Sequence, residues 1–485
     1  MAGVTAWGAW LGRNQRDGAS YFLGARAMPW KLVMLSVVAT ETSTLTFLSI
    51  PGVSYLGSLV FLQLTAGYLL GRIVVAFVFL PAYRKGELTT AYGLLERRFG
   101  TGTRRFTSAI FMVTRLLADS VRLFATAIPL ALITGLPYSA SIAVIAVLTL
   151  VYTYFGGIKA VIWVDALQMG LYLLGAAVAI VALELMVAGG WGEILSSAGE
   201  AGKLQLLDWD VPWPDWNATY TVWAGVLGGA VFAMASHGTD HLIVQRLLTC
   251  RNLRASQKAL VGSGAAVIVQ FALFLLVGIG LWAYYSGCDV GAGGCFRASD
   301  EIFPLFIVEQ LPAGLSGLLI AGVFAAAMSS LSSSVNSLAS ATAYDFWAPL
   351  AGAAGDDRRI LRAGRFFTTV WAGLLTVGAI MFIPLGRESS AVEVALAIAG
   401  VVYGALLGAF LLAILTRRPG QRTAIVGMSA GLGFVVWIWL STDVAWTWYV
   451  PVGATVTLLV GTGVGALRRA VMALLPRMAA RRRRR

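Results

Sequence analysis

The chain has 485 residues, of which 58 % are apolar and only 12 % charged, and its mean hydropathy is +0.79. Soluble domains carry about 25 % charged residues, so a soluble enzyme is excluded, and no stretch is polar enough for a separate catalytic, kinase or DNA-binding domain. The net charge of +13 fits nucleic acid or anionic lipid until its placement along the chain is read.

Residues 1–12 are apolar but too short to cross a bilayer, and read as the tail of one more helix. Runs long enough to cross a hydrocarbon core of roughly 30 Å follow at 29–52, 58–82, 106–134, 138–155, 158–187 and 219–237, then at 256–286, 312–344, 363–384, 390–416, 421–441 and 447–467. These twelve predicted spans make the chain an all-α integral membrane protein. The first holds Ala39-Thr-Glu-Thr-Ser-Thr-Leu-Thr46, closed by Pro51-Gly52. Hydroxyls this dense re-satisfy backbone groups where a membrane helix unwinds, or bond back to their own helix. A Glu41 at that depth favours unwinding.

Ionisable groups inside a span cost at least a few kcal/mol and need a partner, a wet cavity or a task. The second span contributes Arg72, the third Arg115, Asp119 and Arg122, the fifth Asp165, and the tenth Glu393. Buried and unpaired, Asp165 is costly. Beside a bound cation it stays ionised, and a salt bridge to an arginine on a neighbouring helix is the alternative. The loop 188–218 is acidic, and its Trp191, Trp209, Trp213 and Trp216 read as interfacial anchors. His237 and His241, four residues apart, lack the further ligands of a transition-metal site. His237 is expected to line a polar cavity, and His241 to sit at the inner end. Cys288 and Cys295 share one short loop and can bridge if it faces an oxidising side, whereas Cys250 reads as a free thiol.

The eighth span carries Ala325-Ala-Ala-Met-Ser-Ser-Leu-Ser-Ser-Ser334. Ala326, Ser329, Ser330 and Ser333 share one helix face at i, i+3, i+4 and i+7. Hard cations take oxygen ligands, so hydroxyls with freed carbonyls suit a weakly held monovalent ion. Close helix packing through small residues is the other explanation. Beyond the last two spans lies the run Arg481–Arg485.

With residues 13–31 inside, outside segments hold only Lys203, Arg297 and Arg387, while Arg72, Arg115 and Arg122 lie in spans and the remaining Lys and Arg face inward. That is the positive-inside pattern. It assigns the charge to anionic lipid rather than nucleic acid, and places the C-terminus in the cytoplasm of a cell with this protein in its plasma (inner) membrane.

Four segments in order resemble the sodium:solute symporter family, from Tyr21 to about Arg418. They are Tyr21-Phe-Leu-Gly-Ala-Arg-Ala-Met-Pro-Trp30, Tyr154 to Gln168, Asp240-His-Leu-Ile-Val-Gln-Arg246 and Gly317 to Ser330. Bacterial sialic acid and sugar symporters are nearest in motif. The resemblance implies a leucine-transporter-like fold with two inverted five-helix repeats, 29–187 and 219–416, and discontinuous first and sixth helices, the sixth with Gly238 after Ser236-His237 as its break. Solute and ions then bind near the midplane. Residues 1–28 precede the repeats, 188–218 form the outer loop, 417–470 two further helices and 471–485 a basic tail.

Carried over by position, one sodium site uses carbonyls of Ala39, Thr42 and Ala326 with the hydroxyls of Ser329 and Ser330. A second, present in some members, uses Asp165, Ser329, Ser332 and Ser333. Ser43 and Thr46 match solute-contacting positions, and Gln63 joins them. The arginine that sialic acid symporters use aligns near Ala118, where this chain instead has Asp119 and Arg122. The aromatic pair of sugar carriers falls at Ser236 and His237, and their lysine is absent, with Gln270 nearby. Glu41 is expected to meet a solute amine or to pair with Arg122. The expected activity is symport of a small polar organic solute with two sodium ions by a monomer. A proton-coupled carrier and a transporter-like nutrient sensor are the rivals; no His–Ser pair supports an enzyme.

Overall fold

A computed structural model of the chain describes residues 2–12, 17–42, 44–85, 88, 90–209, 215–291, 293–296, 299–353, 355–383, 391–417 and 419–482. Among these residues there is no β-sheet, only two isolated bridges. In lipid every backbone amide needs a partner within its own segment, and helices supply it. Helix α1 (Ala2–Gly12) packs on the fifth span through an edge-on Trp7–Trp163 contact of 6.3 Å between ring centroids. The first span is two helices, α2 (Trp30–Glu41) and α3 (Thr44–Leu56), bent by 61°. Then come α4 (Leu59–Arg84), α5 (Thr101–Thr134) and α6 (Tyr138–Met186). The second half holds α7 (Gly229–Gly238), α8 (His241–Leu248), α9 (Leu253–Tyr284), α10 (Ala313–Leu350), α11 (Asp357–Met381) and α12 (Ala391–Leu415). Helices α13 (Gln421–Ser441) and α14 (Tyr449–Arg482) follow, so the segment from 471 continues the last helix through Arg482.

Among the described residues, eight helices are long and apolar enough to cross a membrane, or nine with the bent pair as one span. The other expected crossings are masked by length or charge. Helix α6 has 49 residues and holds two spans joined at Gly157, whose φ of +53° suits glycine and whose Cβ would sit 2.5 Å from the Tyr21 carbonyl. Helix α5 carries Arg115, Asp119 and Arg122. The sixth span is interrupted, and it extends beyond 237: all of α8 is buried. His241 and Arg246 therefore lie inside the protein rather than at a charged inner edge.

Small residues bring the repeats together. A Cβ on Gly71 of α4 would lie 2.2 Å from the Ala230 carbonyl of α7, and one on Gly278 of α9 would lie 2.0 Å from the Pro51 carbonyl of α3. Both broken helices are thus clamped by backbone approach.

On the loop side, Cys288 and Cys295 form a disulfide with Cα atoms 6.0 Å apart, and Tyr55 Oη donates to the Cys288 carbonyl at 2.7 Å. Trp209 and Trp216 are exposed, whereas Trp191 packs on α6 and donates to the Ile180 carbonyl at 3.1 Å. Trp213 lies outside the described residues. Cys250, between α8 and α9, is free and buried, and burial pushes its thiol up to about 11. A thiolate is the reactive species, so iodoacetamide at pH 7.5 should label no cysteine of the native protein. One should become reactive on unreduced unfolding, as counted by mass spectrometry; rapid native labelling of Cys250 would contradict this placement.

Candidate functional site

Helix α2 stops at Glu41 because Thr42 leaves helical geometry, with φ −77° and ψ 87°. Hydroxyls compensate on the spot: Thr42 Oγ1 donates to the Val38 carbonyl at 2.9 Å and Thr40 Oγ1 to the Ser36 carbonyl at 2.7 Å. Break and back-bonding therefore coexist. Helix α7 stops at Gly238. Asp240 then caps α8, accepting from the Leu242 amide at 2.9 Å, the usual role of an N-cap carboxylate. The first and sixth spans are both broken, where the sequence placed the breaks.

Helix α10 runs beside the first break. Ser329 Oγ lies 3.3 Å from the Ala39 carbonyl and 2.7 Å from Asp165 Oδ1. Thr42 caps α2 three residues after Ala39, and Ala326 lies one turn before Ser330 on α10. Among the described residues, Ser330 Oγ is buried and meets no hydrogen-bond partner. A buried hydroxyl left unpaired costs about 1–3 kcal/mol, and a cation would use its lone pairs. Of the oxygens expected for the first sodium site, the Ser329 hydroxyl and the Ala39 carbonyl thus stand side by side.

The second set differs from expectation. Asp165 is not a lone carboxylate. Ser36 Oγ donates to its Oδ2 at 2.6 Å, and Arg246 of α8 pairs with the same oxygen at 3.2 Å. The guanidinium also donates to Ser333 Oγ, while Ser333 and Ser332 bond back to the Ser329 carbonyl at 2.6 and 3.0 Å. The arginine alternative is therefore realised. Arg246 is fully buried. Its position in the Asp240–Arg246 segment was visible, but a basic residue after a presumed helix end reads as an inside-loop charge.

Between the broken helices lies a cavity open at one side. Thr40, Glu41, Thr46, Arg122, Ser236 and His237 line it, with Phe61, Tyr68, Phe232 and Phe271 as aromatic walls. Glu41 pairs with Arg72, not with Arg122, and His237 Nε2 stands 3.6 Å from it. Arg115 joins Asp240 and Tyr403 at the cavity edge. Arg122 bonds Asp119 at 3.2 Å, keeps a side-chain exposure of 21 %, and its buried Nε has no partner among the described residues. Two expected solute contacts lie elsewhere. Gln63 bonds the Val60 and Tyr220 carbonyls at 3.1 and 3.3 Å, holding the outer loop, and Gln270 donates to Thr42 Oγ1 at 2.5 Å, supporting the break. Ser43 lies outside the described residues. Among those residues no three His, Cys, Asp or Glu side chains converge to hold a metal.

At the other end of α10, Asp345 accepts from Thr90 at 2.9 Å, Ser108 at 2.8 Å and Arg104 Nε at 2.7 Å, and Arg104 also pairs with Glu96 at 2.5 Å. This network ties α5, α10 and the basic segment 90–105 together.

A model of the sodium:solute symporter family matches residues 21–431. The chain belongs to that family. This symporter is 30 % identical over 464 residues to the sodium/sialic acid symporter NanT of Aliivibrio fischeri, covering 95 % of this chain and 90 % of that one. It is 29 % identical to the human sodium/iodide cotransporter over 94 % of this chain and 70 % of the relative. A sodium-coupled sialic acid symporter, solved with substrate in an outward-open state, superposes with a TM-score of 0.86 at 26 % identity, over 96 % of both chains. The chain is thus a sodium-coupled symporter of a small solute and a multi-pass membrane protein. Sodium is its coupling ion, and it is not an enzyme.

Proposed function

We propose that this symporter imports a small organic anion with two sodium ions. The observation that carries the reading is Arg122: a guanidinium on the cavity between the two broken helices, 21 % exposed and, among the described residues, ion-paired only with Asp119 one turn away on its own helix. Guanidinium binds carboxylate in a two-pronged fork, and Phe61 and Phe271, with ring planes 9° apart, offer an apolar wall for the rest of the solute. Similarity to carriers of sialic acid and of iodide, both anions, supports the charge class. Thr46, Ser236 and His237 supply further polar contacts.

The first ion is assigned to Ala39, Thr42, Ala326, Ser329 and Ser330, the second to Asp165, Ser329, Ser332 and Ser333. Residues 29–187 and 219–416 form the two repeats. The protein works as a monomer in the plasma (inner) membrane with its basic C-terminus in the cytoplasm, against anionic lipid. Two sodium ions with one monovalent anion carry one net charge, so 100 mV supplies about 2.3 kcal/mol. Each 1.4 kcal/mol is tenfold, which makes this roughly fortyfold accumulation before the sodium gradient acts.

The test is uptake into proteoliposomes of labelled monocarboxylates and acidic sugars, with sodium and pH varied independently. Sodium-dependent, electrogenic uptake of an acid is expected. Uptake indifferent to sodium at fixed pH, or tied to a proton gradient, would overturn the coupling. Transport of neutral polyols with no competition from any acid would overturn the substrate class.

A further inference from the structure

Arg246 occupies oxygens that the proposed second sodium requires. Its Nε donates to Ser36 Oγ at 2.9 Å and its Nη1 to the Leu242 carbonyl at 2.8 Å, while Nη2 reaches Asp165 Oδ2 at 3.2 Å and Ser333 Oγ. Asp165 and Ser333 are two of the four ligands assigned to that ion. At Asp165 Oδ2 and Ser333 Oγ sodium would compete with these N–H donors for lone pairs, and a carboxylate already matched by one guanidinium attracts a second cation less strongly. The two cations therefore compete for these two oxygens.

We propose that Arg246 is a tethered competitor of the second sodium. In the sodium-free protein its guanidinium closes the site, and sodium enters as Nη2 releases Asp165 and Ser333 while Nη1 stays on the Leu242 carbonyl. The inference rests on the second sodium site proposed above and adds how that site reaches the solute. Arg246 lies on α8, the short inner half of the broken sixth span. The same helix presents Leu242 and Ile243 to the cavity, and Leu242 also carries the carbonyl that holds Nη1. Exchange of guanidinium for sodium therefore acts on the helix that forms one wall of the solute cavity. Arg246 touches no solute; it is a positioning residue.

The test is equilibrium binding of labelled sodium to the purified full-length chain, with thermal stability followed in sodium chloride and in N-methylglucamine chloride. Wild type is expected to bind two ions, the second weakly. An affinity reduced by the fraction of time a site is open recovers when the competitor is removed, so R246Q should bind the second ion about tenfold more tightly or better. R246Q should also be less stable than wild type without sodium, because Asp165 has lost its cation, and should recover stability as sodium is added. R246K keeps the charge without the three-way fork and should gain a smaller increase. D165N/R246Q, with neither charge, should fold without sodium and bind one ion.

If R246Q cannot be purified without sodium, R246K and the double variant decide the question. Two ions bound with unchanged or weaker second-site affinity in R246K and R246Q would overturn the competitor role while leaving the second site standing. One ion bound by wild type and by every variant would overturn the second site itself.

Discussion

Replacing Ser330 by alanine is expected to raise the sodium concentration for half-maximal uptake by about ten- to a hundredfold, the equivalent of one bond to a charged group worth roughly 1.5–3 kcal/mol. The same change should leave the sodium-free protein as stable as wild type, or more so. The reason is that Ser330 Oγ is buried with no hydrogen-bond partner among the described residues, so its removal takes away an unsatisfied group rather than a bond. Ser329 provides the contrast. Its hydroxyl holds Asp165 at 2.7 Å and approaches Ala39 at 3.3 Å, so Ser329→Ala should lose both sodium affinity and stability. Sodium-titrated uptake and melting in choline chloride measure the two effects separately. Unaltered sodium dependence in Ser330→Ala, or a clear loss of its sodium-free stability, would remove this residue from the ion site.

Replacing Arg122 by alanine is expected to raise KM for an acidic solute by about a hundredfold or more, because truncating one side of a buried charge-assisted pair costs roughly 2–5 kcal/mol. Arg122→Lys should recover only part of this, since an ammonium lacks the fork that matches a carboxylate. The fold should survive. Asp119, left by Arg122, still accepts from Ser334 at 2.5 Å and lies 3.5 Å from Arg115. Arg72→Ala makes the informative control. It strands Glu41 beside the cavity, where a buried charge without its partner costs about 3–5 kcal/mol, so it should lower stability and not only affinity. Initial-rate uptake and solute-induced thermal shifts separate the two residues. An Arg122→Ala protein with wild-type KM would exclude this guanidinium from solute recognition.

Periodicity and cost in lipid were enough to read the spans, the hydroxyl-rich break at Thr42 and the serine face of α10, because each is a local property of one segment. Pairing was not legible. Glu41 had three arginines within reach along neighbouring spans, and only the close approach of the helices selected Arg72 over Arg122. Gln63 and Gln270, polar residues in apolar helices, looked like solute contacts, yet one anchors the outer loop and the other braces the break. Polarity at depth marks a task without saying which.

Arg246 shows the same division most clearly. Composition and local pattern give a helical membrane protein with oxygen-rich segments and a break in its first span, because the absence of water in the bilayer forces such features into each segment's own residues. The transporter reading rests on the motifs that resemble the family. Which cation meets Asp165 is a property of the packed helices. That depends on how far α8 continues past its break and which face it turns inward, and an arginine long enough to reach four partners carries no mark of the one it will choose.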